Sequence, residues 1–182
     1  MSNIAIKGAT TGTGVFTLES PATNTDRTLT LPDEAGTIAL AQSLSYVRLN
    51  TANGYGSTNT VIRRFTNVVN SVGSDITYAD SATLGATFTI NTAGVYSVSY
   101  GDVFTSGASM GISISSTQLT TNIAGITAAD RLMMSSTTAV NVACVASTTF
   151  YAAANSVIRA HTDAAASNGT PDRANFTIAR VA

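Results

Sequence analysis

The sequence predicts an all-β fold, and three observations predict it. Apolar residues recur at every second position in short runs along most of the chain, the period of a strand with one buried face. Clusters of turn-forming residues, at 91–94, 106–107, 122–125 and 168–169, separate those runs. Ser and Thr make up 50 of the 182 residues, Gly is frequent, Pro is rare and Trp is absent, a composition that suits short strands and tight connections better than helices. Seven or more strands at this spacing describe a sandwich, a jelly roll or a barrel.

Taken in chain order, the first 45 residues are thin. Their apolar residues come in pairs two apart, Ile4/Ile6, Phe16/Leu18, Leu29/Leu31 and Ile38/Leu40, parted by GATTGTG, SPATNTD and PDEAG. Each pair predicts a short strand and each separator a turn, Pro32 presetting the last one and Gly36 allowing positive φ. Four such strands cannot offset the entropy of ordering their own chain, roughly 1–2 kcal/mol per residue. Segment 1–45 therefore needs a partner surface, from the rest of the chain, from other copies or from another protein. Residues 46–59 are read as a linker and 60–182 as a head domain.

In the head the pattern is denser. Phe88/Ile90, Tyr96/Val98/Tyr100, Met110/Ile112/Ile114, Val140/Val142 and Phe176/Ile178 each alternate with small or hydroxyl residues, predicting strands with one apolar face. The Ala-rich stretch STTFYAAANSVIRAHTDAAASNG, residues 147–169, carries β-branched and aromatic residues with Asn155 in the middle. It predicts a hairpin rather than a helix.

Charge narrows the function. Nine Lys and Arg face ten acidic residues, and only 10% of residues are charged. A near-neutral, charge-poor chain has little attraction for phosphates, so nucleic acid is not an expected partner. No apolar stretch approaches the 18 or so residues of a membrane span, and no basic start followed by an apolar run marks a secretory signal. The one cysteine, Cys144, lies in the apolar setting VNVACVAST and reads as a small buried hydrophobe.

Chemistry is sparse. With one His and one Cys, a zinc site of the usual ligands within one chain is excluded. His161 neighbours Asp163 and shares a predicted strand face with Arg159, which places it at a surface or interface. Asp75 and Asp80 flank a short ITYA strand, and Asp33–Glu34 lie in a turn, but neither pair has the setting of a glycosidase. GATTGTG lacks the Lys and third Gly of a nucleotide loop and reads as a connector. No enzyme, cofactor or metal is expected. Arg63-Arg64 interrupts the apolar run VIRRFTNVV. It pairs with an acidic group of a neighbouring subunit, or else supplies one solvated and one edge-strand arginine.

Hydroxyl-covered strand faces suit a symmetric assembly, because small residues let sheets from different copies approach without burying charge. The second half adds a resemblance. ATFTINTAGVYSVSYGDVF, STTFYAAANSVIRAHTD and RANFTIARVA resemble the central strand pair, the next-to-last hairpin and the closing strand of the trimeric jelly roll of the complement globular-head and tumour-necrosis-factor superfamily. Neither a collagen-like stalk nor the charged calcium- and receptor-binding loops of some members has a counterpart. GTGVFTLESPATNTDRTLTLPDEAGTIAL resembles a segment of tail-fibre and related virion proteins of tailed bacteriophages, with Pro21, Ala22, Thr28 to Asp33, Gly36 and Thr37 fitting the pattern.

Together the resemblances imply an all-β, antiparallel jelly-roll sandwich, trimeric, with a short β-rich N-terminal attachment segment. The implied function is a structural virion protein, a short tail fibre or tip adhesin. The alternative is a capsid decoration or head-fibre trimer. It would be assembled in the host cytoplasm and located in the virion. Its implied partners are itself as a homotrimer, other virion proteins through the N-terminal segment, and a host surface glycan or protein met by loops 105–109, 116–127 and 162–173. Virion attachment would fall to Arg27, Leu29, Leu31, Pro32, Asp33, Gly36, Ile38 and Leu40. Tyr96, Tyr100, Phe104, Phe150, Tyr151 and Phe176 would fill the core or the trimer interface.

Overall fold

Alternation becomes sheet geometry in a computed structural model that describes residues 22, 24–26, 44–51, 56–57, 61–139, 141–163 and 173–182. The chain divides into two units, Met1–Ala39 and Leu40–Ala182. Of the first, only residues 22 and 24–26 are described, mostly as bends. The eight attachment residues, Arg27, Leu29, Leu31, Pro32, Asp33, Gly36, Ile38 and Leu40, lie outside the described residues.

The second unit is a two-sheet antiparallel sandwich with jelly-roll connections. Its strands are β1 (Tyr46–Asn50), β2 (Asn67–Val72), β3 (Ile76–Ala79), β4 (Thr87–Ile90), β5 (Gly94–Val103), β6 (Ala108–Ile114), β7 (Arg131–Thr137), β8 (Ala143–Ala152), β9 (Val157–Thr162) and β10 (Asn175–Arg180). One sheet runs β2-β1-β10-β5-β8 and the other β3-β4-β9-β6-β7. No α-helix occurs among the described residues, only a 3-10 turn at Ile123–Gly125 where the sequence predicts an ordinary turn.

The period-two reading places the core. Val47 and Leu49 of β1, Tyr96, Val98 and Tyr100 of β5, Phe176 and Ile178 of β10, Phe88 and Ile90 of β4, and Met110 and Ile112 of β6 all point between the sheets and are buried. At the centre Phe88 and Phe176 stack across the sandwich with centroids 4.1 Å apart, and Phe65 meets Tyr100 edge-on at 5.9 Å. Such contacts add about 0.5–1.5 kcal/mol each beyond burial. Cys144 is buried and free, packed on Ser135 with Sγ and Oγ 3.2 Å apart.

Several expectations are corrected. Residues 46–50, read as linker, form β1, a strand hydrogen-bonded on both sides by β2 and β10. Two inward residues in a five-residue strand give too short an alternation to stand out in sequence. Residues 147–163 are strand, turn, strand as expected but not a hairpin, because β8 pairs with β5 in one sheet and β9 pairs with β4 and β6 in the other. Asn155, at φ 68°, turns the chain across the sandwich instead of back along it. The Val140/Val142 strand is displaced: β8 begins at Ala143, after a positive-φ Asn141, and Val140 lies outside the described residues.

Candidate functional site

Three arrangements in the second unit hold the polar side chains that could act. The first is buried. Arg63 is 2% exposed and its Nε sits 2.7 Å from Asp102 Oδ2. That N–H is not aimed at the oxygen, so the contact is ionic; Nη2 donates to Oδ1 at 3.4 Å. Asp102 also accepts from the Tyr100 hydroxyl at 3.1 Å and from Val103 N–H at 2.9 Å. Burial raises the Asp102 carboxyl above its ordinary value, against the opposing pull of Arg63 and these donors. Burial, and then the Asp102 charge, pushes the Tyr100 phenol well up.

Arg63 is therefore neither solvated nor placed to reach a neighbouring subunit, whereas Arg64 lies nearer the surface. Arg64 grips Asp80 with Nε and Nη2, at 2.9 and 2.6 Å. Asp75 faces Arg180 at 3.3 Å. The two aspartates flank β3 as the sequence indicates, but each is held by an arginine. Removing the Tyr100 hydroxyl alone, as Tyr100→Phe, leaves one Asp102 oxygen short of a donor. We expect a loss of about 1–3 kcal/mol, read as a lower urea midpoint at unchanged slope.

The second arrangement corrects the surface placement of His161. Its ring is fully buried on the outer side of the second sheet. Residues 115–130 lie over that side. Ile123 presses on Gly111, where any Cβ would collide with Ile123 and the Met133 carbonyl. His161 Nε2 and Ser113 Oγ are 2.7 Å apart, and Nδ1 faces the Thr121 backbone without completing a hydrogen bond. Burial, reinforced by the Arg159 charge, lowers the His161 pKa to about 4, with the Thr121 backbone opposing. A single His in a Ser/Thr-rich alternation gives no sequence signal that a loop will cover it.

The third arrangement is the outer face of the first sheet. The inward residues of β5, β8 and β10 are even-numbered, so the odd-numbered ones line the opposite side. Strand register sets them in rows: Thr149, Ser97, Ala179 and Tyr46; Ser147, Ser99, Thr177 and Arg48; Val145, Gly101, Asn175 and Asn50. Arg48 is the only charged residue in these rows. Ser147 Oγ donates to Val98 O at 3.0 Å, so this hydroxyl is satisfied within its own sheet. Along the β8 rim Val145 and Tyr151 are 57% and 67% exposed. Over Gly101 a depression of about 350 Å³ opens between Val145, Asn141, Arg173 and Asn175.

The aromatic residues named from sequence divide accordingly. Tyr96, Tyr100, Phe104 and Phe176 are fully buried inside one chain, and Phe150 packs partly buried against that core. Tyr151 is not a core residue; it stands on the outer face, because β8 is an edge strand and 151 falls on its outward parity. Of the candidate contact loops, 105–109 runs directly into β6, 116–127 lies over the second sheet, and 164–172 lies outside the described residues.

No protein-family model matches the chain, and no curated protein sequence matches it. Solved structures do match at the level of fold. Murine APRIL at pH 8.0 aligns with a TM-score of 0.55 and 12% identity, over 76% of this chain and 99% of that one. APRIL at pH 8.5 gives 0.56 and 11%, over the same shares. Eiger TNF from S. frugiperda gives 0.54 and 11%, over 78% of this chain and 94% of that one. At this identity the likeness is one of architecture: the second unit has the jelly-roll sandwich seen in APRIL and Eiger TNF.

Proposed function

We propose that this chain is a non-enzymatic structural virion protein of a tailed phage, a short tail fibre or tip adhesin that assembles as a homotrimer. The observation that carries the assembly is the outer face of the first sheet. It is broad, small-residued and nearly uncharged, so a second copy can lie on it without stripping water from many ions. Its hydroxyls bond locally or across an interface. The Gly101 depression has room for a neighbour's side chain, and Tyr151 at the rim is an amphipathic anchor of the kind enriched in interfaces. The jelly-roll likeness to APRIL and Eiger TNF supports self-association of this head. The virion role rests on the Pro-Ala-Thr and Thr-Leu-Thr-Leu-Pro-Asp-x-x-Gly-Thr resemblance of residues 21–37. On this reading the N-terminal segment binds other virion proteins, the head meets a host surface glycan or protein, and assembly takes place in the host cytoplasm.

The arginine partners of Asp75, Asp80 and Asp102 support a non-enzymatic reading, since none of these carboxylates is left to act as a general acid or base. A second placement is as a capsid decoration or head-fibre trimer. Gold-labelled antibody on intact virions separates the two: label at the tail tip supports the fibre, and a regular scatter over the head supports decoration.

Light scattering should give three times the chain mass. Ser99 lies between Ser147 and Thr177 in the middle row of the face. Ser99→Arg should convert the trimer to monomer with an unchanged far-ultraviolet spectrum, because a guanidinium there must be desolvated without a partner. A wild-type chain that is monomeric at micromolar concentration would sink the assembly.

A further inference from the structure

A second cleft, also about 350 Å³, opens on the other sheet, at the small end of the roughly 300–1,000 Å³ of small-molecule sites. It is lined by Ser115, Ser116 and Thr117, which follow β6, by Asn155 of the β8–β9 turn, and by Val157 and Arg159 of β9. Every polar side chain in the lining is a hydroxyl, an amide or a guanidinium, and no carboxylate is present.

Arg159 sets the chemistry. Its guanidinium is partly buried, and burial disfavours its charge. Nη1 donates to Ser116 O at 3.0 Å. Among the described residues no other N–H of this side chain reaches an acceptor, and no carboxylate lies within ion-pair distance. Arg63, Arg64 and Arg180, by contrast, each face an aspartate. A partly buried cation without a counter-ion is costly, and an anion from solution would offset that cost through charge-assisted, forked hydrogen bonds.

The backbone agrees. Among the described residues three non-glycine positions have positive φ, and two of them, Ser115 at 50° and Asn155 at 68°, line this cleft. Ser115 N–H donates to Val157 O at 2.6 Å and Asn155 N–H to Ile90 O at 2.7 Å, which holds both in place. Conformations of this kind gather at ligand clamps.

We propose that this cleft binds a carboxylate-bearing sugar, its carboxylate on Arg159 and its ring hydroxyls on Ser115, Thr117 and Asn155, while Ser116, buried and accepting from Gln118 N–H, serves through its carbonyl to hold Arg159. Val157 and Leu119, also in the lining, offer an apolar patch to the C–H face of the ring. A bare phosphate would satisfy Arg159 but leave the hydroxyl row, the amide and the apolar pair unused. The inference stands apart from the assembly reading, since it needs neither a trimer nor a virion, and the cleft lies on the sheet opposite the assembly face.

The test is an amide NMR titration of the full chain with sodium glucuronate, methyl glucoside and inorganic phosphate at matched ionic strength. Glucuronate should shift Ser115, Ser116, Thr117, Asn155 and Val157; methyl glucoside should not, and phosphate should bind more weakly. Arg159→Gln should abolish the shifts. Because Arg159 also holds Ser116, two milder variants keep the test open: Thr117→Val preserves shape, and Asn155→Gly preserves the left-handed turn. Each should weaken glucuronate by roughly two- to tenfold, the loss of one hydrogen bond. Phosphate binding as tightly as glucuronate, shifts mapping elsewhere, or no shifts at all would each overturn the proposal. None of these outcomes bears on the mass by light scattering, so the two readings fail separately.

Discussion

Arg63→Met lowers the stability of the jelly roll by about 3–5 kcal/mol, the usual cost of stranding one buried charge. Asp102 is the charge stranded. Its side chain is 1% exposed, and only the Tyr100 hydroxyl and Val103 N–H remain to solvate it. Burial already raises its carboxyl with Arg63 in place, so the intact pair is not a large net stabiliser; the loss comes from separating its members. Arg63→Met combined with Asp102→Asn should therefore recover most of the deficit, because no isolated charge is left. Urea unfolding of the single and double variants measures both terms. A single variant within about 1 kcal/mol of wild type would show that solvent reaches Asp102 through the Gly101 depression and replaces the guanidinium.

Acid should weaken the fold by about 3 kcal/mol through His161 alone. The ring stays neutral in the folded chain down to about pH 4 but protonates near pH 6.5 when unfolded. Between those values the unfolded chain binds the extra proton, so stability is full above about pH 6.5, falls as pH drops through the window, and levels off near pH 4. The cause is the cover of residues 115–130 over a fully buried ring whose Nδ1 lacks a hydrogen-bond partner. Other groups act beside it with different sign or range. Asp102, whose carboxyl is raised, favours the folded state as it protonates and opposes the trend. Asp75, held below its ordinary value chiefly by the Thr92 hydroxyl, contributes only at lower pH. His161→Gln isolates the histidine: its midpoint of urea unfolding should change far less between pH 7 and pH 4. An equal slope in the two proteins would show that His161 titrates normally.

These two effects were the least legible in sequence. Arg63 and Asp102 are 39 residues apart, and nothing in VIRRFTNVV or SYGDVF marks one as the partner of the other. Arg159 and His161 do share a strand face, as alternation says, but alternation cannot tell an open face from one that a loop covers. Gly111 looked like one more small residue between Met110 and Ile112. Its need to be Gly appears only when Ile123 comes down on it. By sequence Tyr151 groups with Tyr96 and Tyr100, all three being aromatic residues in strands, yet its parity on β8 sends it outward.

What the sequence determined by itself was local and periodic. Inward residues of β4, β5, β6 and β10 follow from a period of two, and turn residues mark most breaks between strands, because pleat and turn geometry are properties of a few neighbouring residues. Which strands pair was decided only in three dimensions. β8 and β9 adjoin in sequence but lie in opposite sheets, and β1 was too short to announce itself until β2 and β10 bonded to it. The tertiary structure also decided the charges. A buried ion pair, a covered histidine and an arginine with no acid beside it among the described residues are outcomes of long-range packing, and packing brings together residues whose separation along the chain carries no signal.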